Sequence, residues 1–331
     1  MTNTPNTLSG TLQMFRQTST ITRARLRILT DMRERDQAVF WADWTQIPRD
    51  GRARIVQLLN EISEDNVDLD FRPVMRWLLA DSDAEVRRRA IEGLSEEEQP
   101  RVIEPLLALM NGDPDPTVRI AAALGLARFT ELAAMEELTP ATSAQLRQAL
   151  MTALMAEVNN VDLYRRILEA LGWVSDDAVS SAVRMAWQSD KGALRESALV
   201  AMGRSGDTSW LPMVRDGLER GTPGVRYEAA RACGDFADQA AALVPLLIVA
   251  SQDDDVEIAV AAIDSLGSIG DERSLKVLKQ HAAGRDAAKR EAAMAALEDH
   301  EGAGDVFGGW KPGPSDRDRA AFETDDDDDE E

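Results

Sequence analysis

The chain has 331 residues, 44% of them hydrophobic and 5% aromatic, with a single cysteine and a net charge of −22. A chain of this length and apolar content can bury a sizeable core, and one cysteine excludes an internal disulfide framework. The negative charge disfavours a phosphate backbone or an anionic membrane as a general partner and favours a basic protein or peptide.

In chain order, residues 1–10 hold no basic stretch leading into an apolar run. The longest apolar stretch, residues 240–250, is too short to cross a bilayer, so the expected compartment is the cytoplasm. Residues 1–50 are predicted as an N-terminal tail and capping helices. From Leu12 to Phe40 the pattern is helical and basic, with Arg16, Arg23, Arg25, Arg27, Arg33 and Arg35 beside the apolar Ile21, Ile28, Leu29 and Met32. This stretch reads as a cap over the open edge of a stack of helical repeats, with a docking helix for an acidic segment as the alternative. Trp41, Trp44 and Trp77 are assigned to the junction between cap and repeats.

Residues 51–299 carry one cassette, Val-Arg-x-x-Ala-x-x-Ala-Leu-Gly or a near relative. After a degenerate unit at 52–62, its first residue recurs at Val86, Val118, Leu163, Leu194, Val225, Ile258 and Lys289, spaced by 32, 45, 31, 31, 33 and 31 residues. Four and seven places later stand small residues, such as Ala90 and Gly93, Ala122 and Gly125, Ala229 and Ala232, with Ile167 and Ala170 as the bulky variant. These offsets share one helical face and let neighbouring helices approach closely.

Pro73, Pro105, Pro212 and Pro245 precede their anchors by 13 residues and mark the start of a first helix, A, where a missing N–H costs nothing. Asp176, Asp207, Asp238 and Asp271 are predicted N-caps of that helix. Gly206 and Gly270 can stop the second helix, B, in a left-handed turn. Neither helix can bury its apolar face alone, so the units must stack. The wide spacing after Val118 predicts an insertion near 129–142: a short extra helix at 131–138, then a Thr139-Pro140 break. It marks either a bend or a binding element.

Residues 300–331 are predicted as a disordered Gly/Pro linker with an acidic tail. Glu323 and the run 325–331 contribute −8 of the net charge. Phe307 and Trp310 in that linker are candidates for a short hook, either on a partner or back onto the last repeat.

The cassettes resemble the HEAT-repeat superfamily, especially the short repeats of phycobilisome lyases. The likeness is carried by Asp115-Pro116-Thr117-Val118-Arg119 through Leu126, by Gly224-Val225-Arg226 through Gly234, and by Asp83-Ala84-Glu85-Val86-Arg87 through Leu94. It spans roughly residues 50–298 and implies an all-α, right-handed solenoid of about seven helix pairs. It also implies that Arg87, Arg119, Arg195, Arg226 and Arg290, near Asp83, Asp115, Asp255 and Asp286, form ion pairs bridging adjacent repeats, and that helix B lines the concave face.

The candidate partner-binding positions are therefore those two, three and six places after the anchor: Arg88, Arg89, Glu92, Arg165, Arg166, Glu169, Glu196, Ser197, Tyr227, Glu228 and Arg231, together with Phe307 and Trp310. Their chemistry varies between units while the small stripe stays constant. Catalytic constellations are thin, with two histidines, His281 and His300, one core-like Cys233 and no phosphate-cradling glycine loop. The hydroxylases of this superfamily bear paired His-Glu motifs, whereas only His300-Glu301 matches here. No cofactor or metal site is assigned. The expected function is a non-catalytic scaffold or adaptor holding a protein or peptide. The alternatives are a lyase-like enzyme acting on a tetrapyrrole-carrying protein, and an acidic tail that mimics nucleic acid toward a basic partner.

Overall fold

The computed structural model describes residues 7–66 and 68–307, with 301–307 by backbone alone, and every regular element among them is a helix. Two compact units divide the chain, Met1–Asp207 and Thr208–Glu331.

The first unit opens with α1 (Leu8–Met14), α2 (Arg23–Leu26) and α3 (Gln37–Trp44), linked by 3-10 turns. The basic stretch predicted as helical is thus a chain of short pieces. Asp31, at φ 51°, interrupts it and donates its N–H to the Asp70 carbonyl at 2.9 Å. Leu12, Phe15, Leu26, Leu29 and Phe40 are fully buried, and Arg23 reaches Glu61 at 3.1 Å on α4 (Arg49–Asp65), so the pieces are moulded onto that helix. The tryptophans do gather at the junction. Phe40 stacks on Trp44 with ring centroids 5.0 Å apart and meets Trp77 at 5.4 Å, while Trp44 Nε1 donates to Asp81 at 2.6 Å.

Four helix pairs come next: α5 (Arg72–Leu78) with α6 (Ala84–Glu92), α7 (Ile103–Gly112) with α8 (Pro116–Ala134), α9 (Pro140–Ala156) with α10 (Val161–Leu171), and α11 (Asp177–Trp187) with α12 (Gly192–Ser205). The second unit holds three more: α13 (Leu211–Arg220) with α14 (Pro223–Phe236), α15 (Val244–Ala250) with α16 (Val256–Ile269), and α17 (Glu272–Ala282) with α18 (Ala287–Phe307). All seven cassette anchors fall on the second helix of a pair. Second helices stack on second helices, α4 on α6, α8, α10 and α12 in turn in the first unit and α14 on α16 and α18 in the second.

The punctuation works largely as the sequence implies. Pro73, Pro212 and Pro245 are the second residues of α5, α13 and α15, and Pro105 lies in the first turn of α7. Asp176 and Asp271 cap α11 and α17 through the N–H groups of Ala178 and Ser274. Asp238 does not cap its helix: it lies inside a 3-10 segment, Ala237–Leu243. Gly206 and Gly270, at φ 62° and 64°, close α12 and α16 in the left-handed region.

The extra residues near 129–142 form no separate helix. They lengthen α8 to Ala134, because Phe129, Thr130 and Leu132 continue its buried face and the Thr130 hydroxyl donates to the Ala170 carbonyl at 2.6 Å. The chain then turns through Glu136, at φ 62°, and Thr139 caps α9. At the other end the predicted linker is also partly helical, since α18 runs to Phe307; the rest of the linker and the acidic tail lie outside the described residues.

The small-residue columns are where second helices meet. Ala90, Ala122, Ala170, Ala198, Ala229, Ala262 and Ala293 are fully buried. Glycines nine places past the anchor complete the contact: a Cβ on Gly172 would sit 2.9 Å from Ala201 Cα, one on Gly234 2.8 Å from Ser265 Oγ, and one on Gly267 2.7 Å from Ala296 Cβ. Among the described residues one helical stretch, Pro223–Ala250, has the length and mean hydropathy (1.5) to cross a membrane. It is α14 and α15 with the 3-10 segment between them, broken at Ala237 (φ 49°), and Val225, Ala229, Cys233, Phe236, Val244 and Leu247 bury its apolar side in the fold.

Candidate functional site

The cassette arginines belong to the frame. Arg87 makes a bidentate pair with Asp113, Nε at 2.7 Å and Nη2 at 2.8 Å, and its third nitrogen donates to the Asp81 carbonyl at 2.8 Å. Arg119 pairs with Glu157 and donates to the Met110 carbonyl at 2.9 Å, and Arg226 reaches Asp253 at 2.5 Å. Each partner lies in the following repeat, so the ladder bridges repeats, but through other acids than the ones the sequence pointed to. Asp83, Asp115 and Asp255, three places before the anchor, instead cap α6, α8 and α16. The bridging acids stand two places earlier, where Asp81, Asp113 and Asp253 also accept the N–H of those caps at 2.8–3.0 Å. The N–H from Asp255, then Arg226, holds the Asp253 carboxyl below the usual carboxylate range. Arg195 departs from the ladder, stacking 4.6 Å over the Trp187 ring, and Arg290 reaches only the Gly284 carbonyl.

The predicted binding positions sit on the second helices of their own unit and differ in availability. Arg88 and Arg89 are half-buried and share Glu85, Arg88 also pairing with the exposed Glu92. Arg165 meets Ser197 Oγ at 3.0 Å and Glu196 at 3.5 Å, and Arg166 meets Glu169 at 2.7 Å. Glu169 itself is a correction. It is 4% exposed, accepts from the Ser197 hydroxyl at 2.5 Å, and serves the contact between α10 and α12 instead of a partner. Its backbone carbonyl accepts from Arg204 at 2.7 Å in the same seam. Tyr227 and Glu228 are half-buried, while Arg231 is exposed, 5.8 Å over the Tyr227 ring and 3.3 Å from Glu228. Phe307 ends α18 by its backbone, and Trp310 lies outside the described residues.

In each unit a groove opens between consecutive second helices. One, of about 740 Å³ between α4 and α6, is lined by Gln57, Asn60, Glu61, Arg89 and Glu92 together with Phe71 and Arg72 at the start of α5. The other, of about 580 Å³ between α14 and α16, is lined by Tyr227, Arg231, Asp235, Glu257, Val260 and Asp264. Sequence reasoning missed several residues here. Leu124 on α8 is 46% exposed with Ile120 half-buried beside it, and on α16 Val256 and Asp264 are exposed. The signal was present: offsets two and six, applied to the cassettes of Val118 and Ile258, give Ile120, Leu124, Val260 and Asp264. They escaped notice because the mixed charges on α6, α10 and α14 dominate the pattern.

The nucleophile candidates sit in unreactive places. Cys233 is fully buried on α14, and desolvation, with the charge of Asp235, pushes its thiol up to about 12. His281 Nε2 lies 3.0 Å from Ser251 Oγ, but Ser251 is completely buried and its hydroxyl donates to the Ile248 carbonyl at 2.8 Å, so the pair reads as a packed hydrogen-bond chain between α15 and α17. Among the described residues no three His, Cys, Asp or Glu side chains converge to hold a metal ion.

A family model of HEAT repeats matches residues 48–127, 72–155 and 211–298, together more than half of the chain. No curated protein matches it. Among solved structures, the complex of CpcE and CpcF of phycocyanin lyase from Nostoc sp. PCC7120 is similar at 18% identity, covering 69% of this chain and 94% of that one, with a TM-score of 0.48. Kap95p bound to RanGDP is similar at 14% identity, 87% and 44% coverage and a TM-score of 0.49. Human deoxyhypusine hydroxylase aligns at 17% identity, 89% and 96% coverage and a TM-score of 0.34.

Proposed function

This chain belongs to the HEAT-repeat family, and we propose that it is an interaction scaffold that holds a protein or peptide along the helix-B face formed by the second helices of its pairs. The observation that carries this reading is the division of labour on those helices. Offsets four and seven, small in every repeat but that of Ile167, pack between second helices, and Arg87, Arg119 and Arg226 are spent on neighbouring repeats, so both maintain the stack. Offset two, and offset six except at the buried Glu169, are left at the surface with a different chemistry from repeat to repeat: Arg88 and Glu92 on α6, Ile120 and Leu124 on α8, Arg165 on α10, Tyr227 and Arg231 on α14. A regular frame presenting an irregular surface, with grooves of 740 and 580 Å³ on it, suits recognition of a partner segment, whereas the buried Cys233 and Ser251 offer no exposed nucleophile.

Affinity purification from the native cell tests this reading. Wild-type chain is compared with a face variant carrying Leu124→Asp, Arg166→Glu and Arg231→Glu and with a control changed on the first helices at Met155→Asp and Met185→Asp, exposed at 74% and 62%. The face variant should lose its co-purifying protein at least tenfold while the control keeps it. Equal capture by wild type and face variant would overturn the assignment.

A further inference from the structure

Both grooves between second helices are lined by more carboxylates than cations. In the first unit the arginines of the second-helix face find carboxylates of their own chain: Arg88 has Glu85 and Glu92, Arg89 has Glu85, Arg165 has Glu196, and Arg166 has Glu169. The groove between α14 and α16 carries its own acidic excess. Three carboxylates line it, Asp235, Glu257 and Asp264, against a single cation, Arg231, whose charge is met by Glu228 at 3.3 Å. Neither Glu257 nor Asp264 has a basic partner among the described residues, and Asp299 on α18 adds its charge toward Asp264. Burial, then the charge of Asp299, raises the Asp264 carboxyl above its ordinary value.

The floor between these carboxylates is apolar. Val260 and Ala261 lie at the base, the Tyr227 ring forms one wall, and Val256, 43% exposed, stands at the N-terminal mouth. No cluster of three acids is tight enough for a divalent cation, and a phosphate backbone would be repelled. An aliphatic stem ending in a positive charge fits both the floor and the rim, because a lysine or arginine chain can lie along apolar surface and carry its charge to the carboxylates at the edge.

We propose that the α14/α16 groove docks a basic peptide segment, seating an aliphatic side chain on Val256, Val260 and Ala261 and a lysine or arginine at Asp264 and Glu257. The proposal rests on the scaffold reading and locates the partner's chemistry on one groove of that face.

The test is a fluorescence-anisotropy titration of the full chain with three labelled decapeptides: one of Lys, Leu and Gly, one with Ser in place of Leu, and one with Glu in place of Lys. The Lys/Leu peptide should bind best, the Ser peptide several-fold more weakly, and the Glu peptide not at all. Asp264→Lys with Glu257→Lys should weaken the Lys/Leu peptide at least tenfold, and the milder pair Asp264→Asn with Glu257→Gln at least threefold; both residues are exposed, so the helices should be retained. Three outcomes overturn the proposal: no binding of the Lys/Leu peptide by wild type, equal binding by the charge-reversed chain as when acids elsewhere hold the peptide, or equal binding of the Ser peptide. If groove reversal leaves the native partner's capture intact while Leu124→Asp and Arg166→Glu abolish it, this proposal fails and the scaffold reading stands.

Discussion

At Arg87 three nitrogens are matched, two by one carboxylate and one by a backbone carbonyl, in a setting where the Asp113 side chain is 2% exposed. A bidentate pair this dry contributes modestly as a pair, because desolvation offsets much of the attraction, yet it is costly to break from one side. Asp113→Ala leaves a buried guanidinium with one partner and should lower unfolding free energy by about 3 kcal/mol. Replacing both members, Arg87→Met with Asp113→Leu, should recover most of that loss. Urea unfolding followed by far-UV circular dichroism reads both. If the double variant is as unstable as the single one, the penalty lies in the caps around Asp113, which also accepts the Asp115 N–H at 2.9 Å, and not in the orphaned charge.

At the scale of the helix, one chemical change should take opposite signs at two glycines. Gly112 ends α7 with nothing within 4 Å of where a Cβ would stand, so Gly112→Ala gains helix propensity, up to about 1 kcal/mol. A Cβ on Gly172 would stand 2.9 Å from Ala201 Cα and 3.1 Å from Arg204 Cβ, and a backbone atom cannot swing aside as a long side chain can. There the clash outweighs propensity, and Gly172→Ala should destabilise by about 2 kcal/mol. Thermal melts of the two variants check the sign, and a stabilised Gly172→Ala would mean that α10 and α12 have room to part. These glycines also mark what the sequence could and could not tell. Their period was legible because close approach demands small residues at fixed offsets. The neighbour each one meets was not, because that depends on the stagger between repeats. The same limit hid the role of Glu169: its offset is that of surface residues, but Ser197 from the next repeat closes over it. The lengthened α8 escaped for a related reason. Spacing counted the extra residues, whereas only the burial of Phe129 and Leu132 shows that they prolong the existing helix. In the ladder, the arginines stood out by repetition, while their partners Asp113 and Asp253 passed for loop acids two residues from the caps.

Across the molecule, the stacking order decides how far a local lesion travels. Within the first unit α4, α6, α8, α10 and α12 pack in succession, and within the second α14, α16 and α18 do so, each second helix resting on the ones before and after it. Polar links obey the same nearest-neighbour rule. Asn60 donates to the Arg89 carbonyl at 3.0 Å, Thr130 to Ala170, Arg204 to Glu169, and Ser265 to Ala230 at 2.7 Å, each across one helix interface. A structure built this way has stability that is close to a sum of repeat and interface terms, without one shared core through which strain is relayed. Asp113→Ala should therefore speed amide hydrogen exchange strongly in α5 to α8, weakly in α10, and not measurably in α14 to α18 under native conditions. Exchange read by mass spectrometry on proteolytic fragments resolves those segments. Acceleration of equal size in α6 and α16 would show that the chain opens only as a whole, and the nearest-neighbour account of its stability would fall. A graded response would carry a functional corollary: because loosening one repeat leaves distant ones intact, the exposed residues at offsets two and six can diversify repeat by repeat without endangering the stack that presents them.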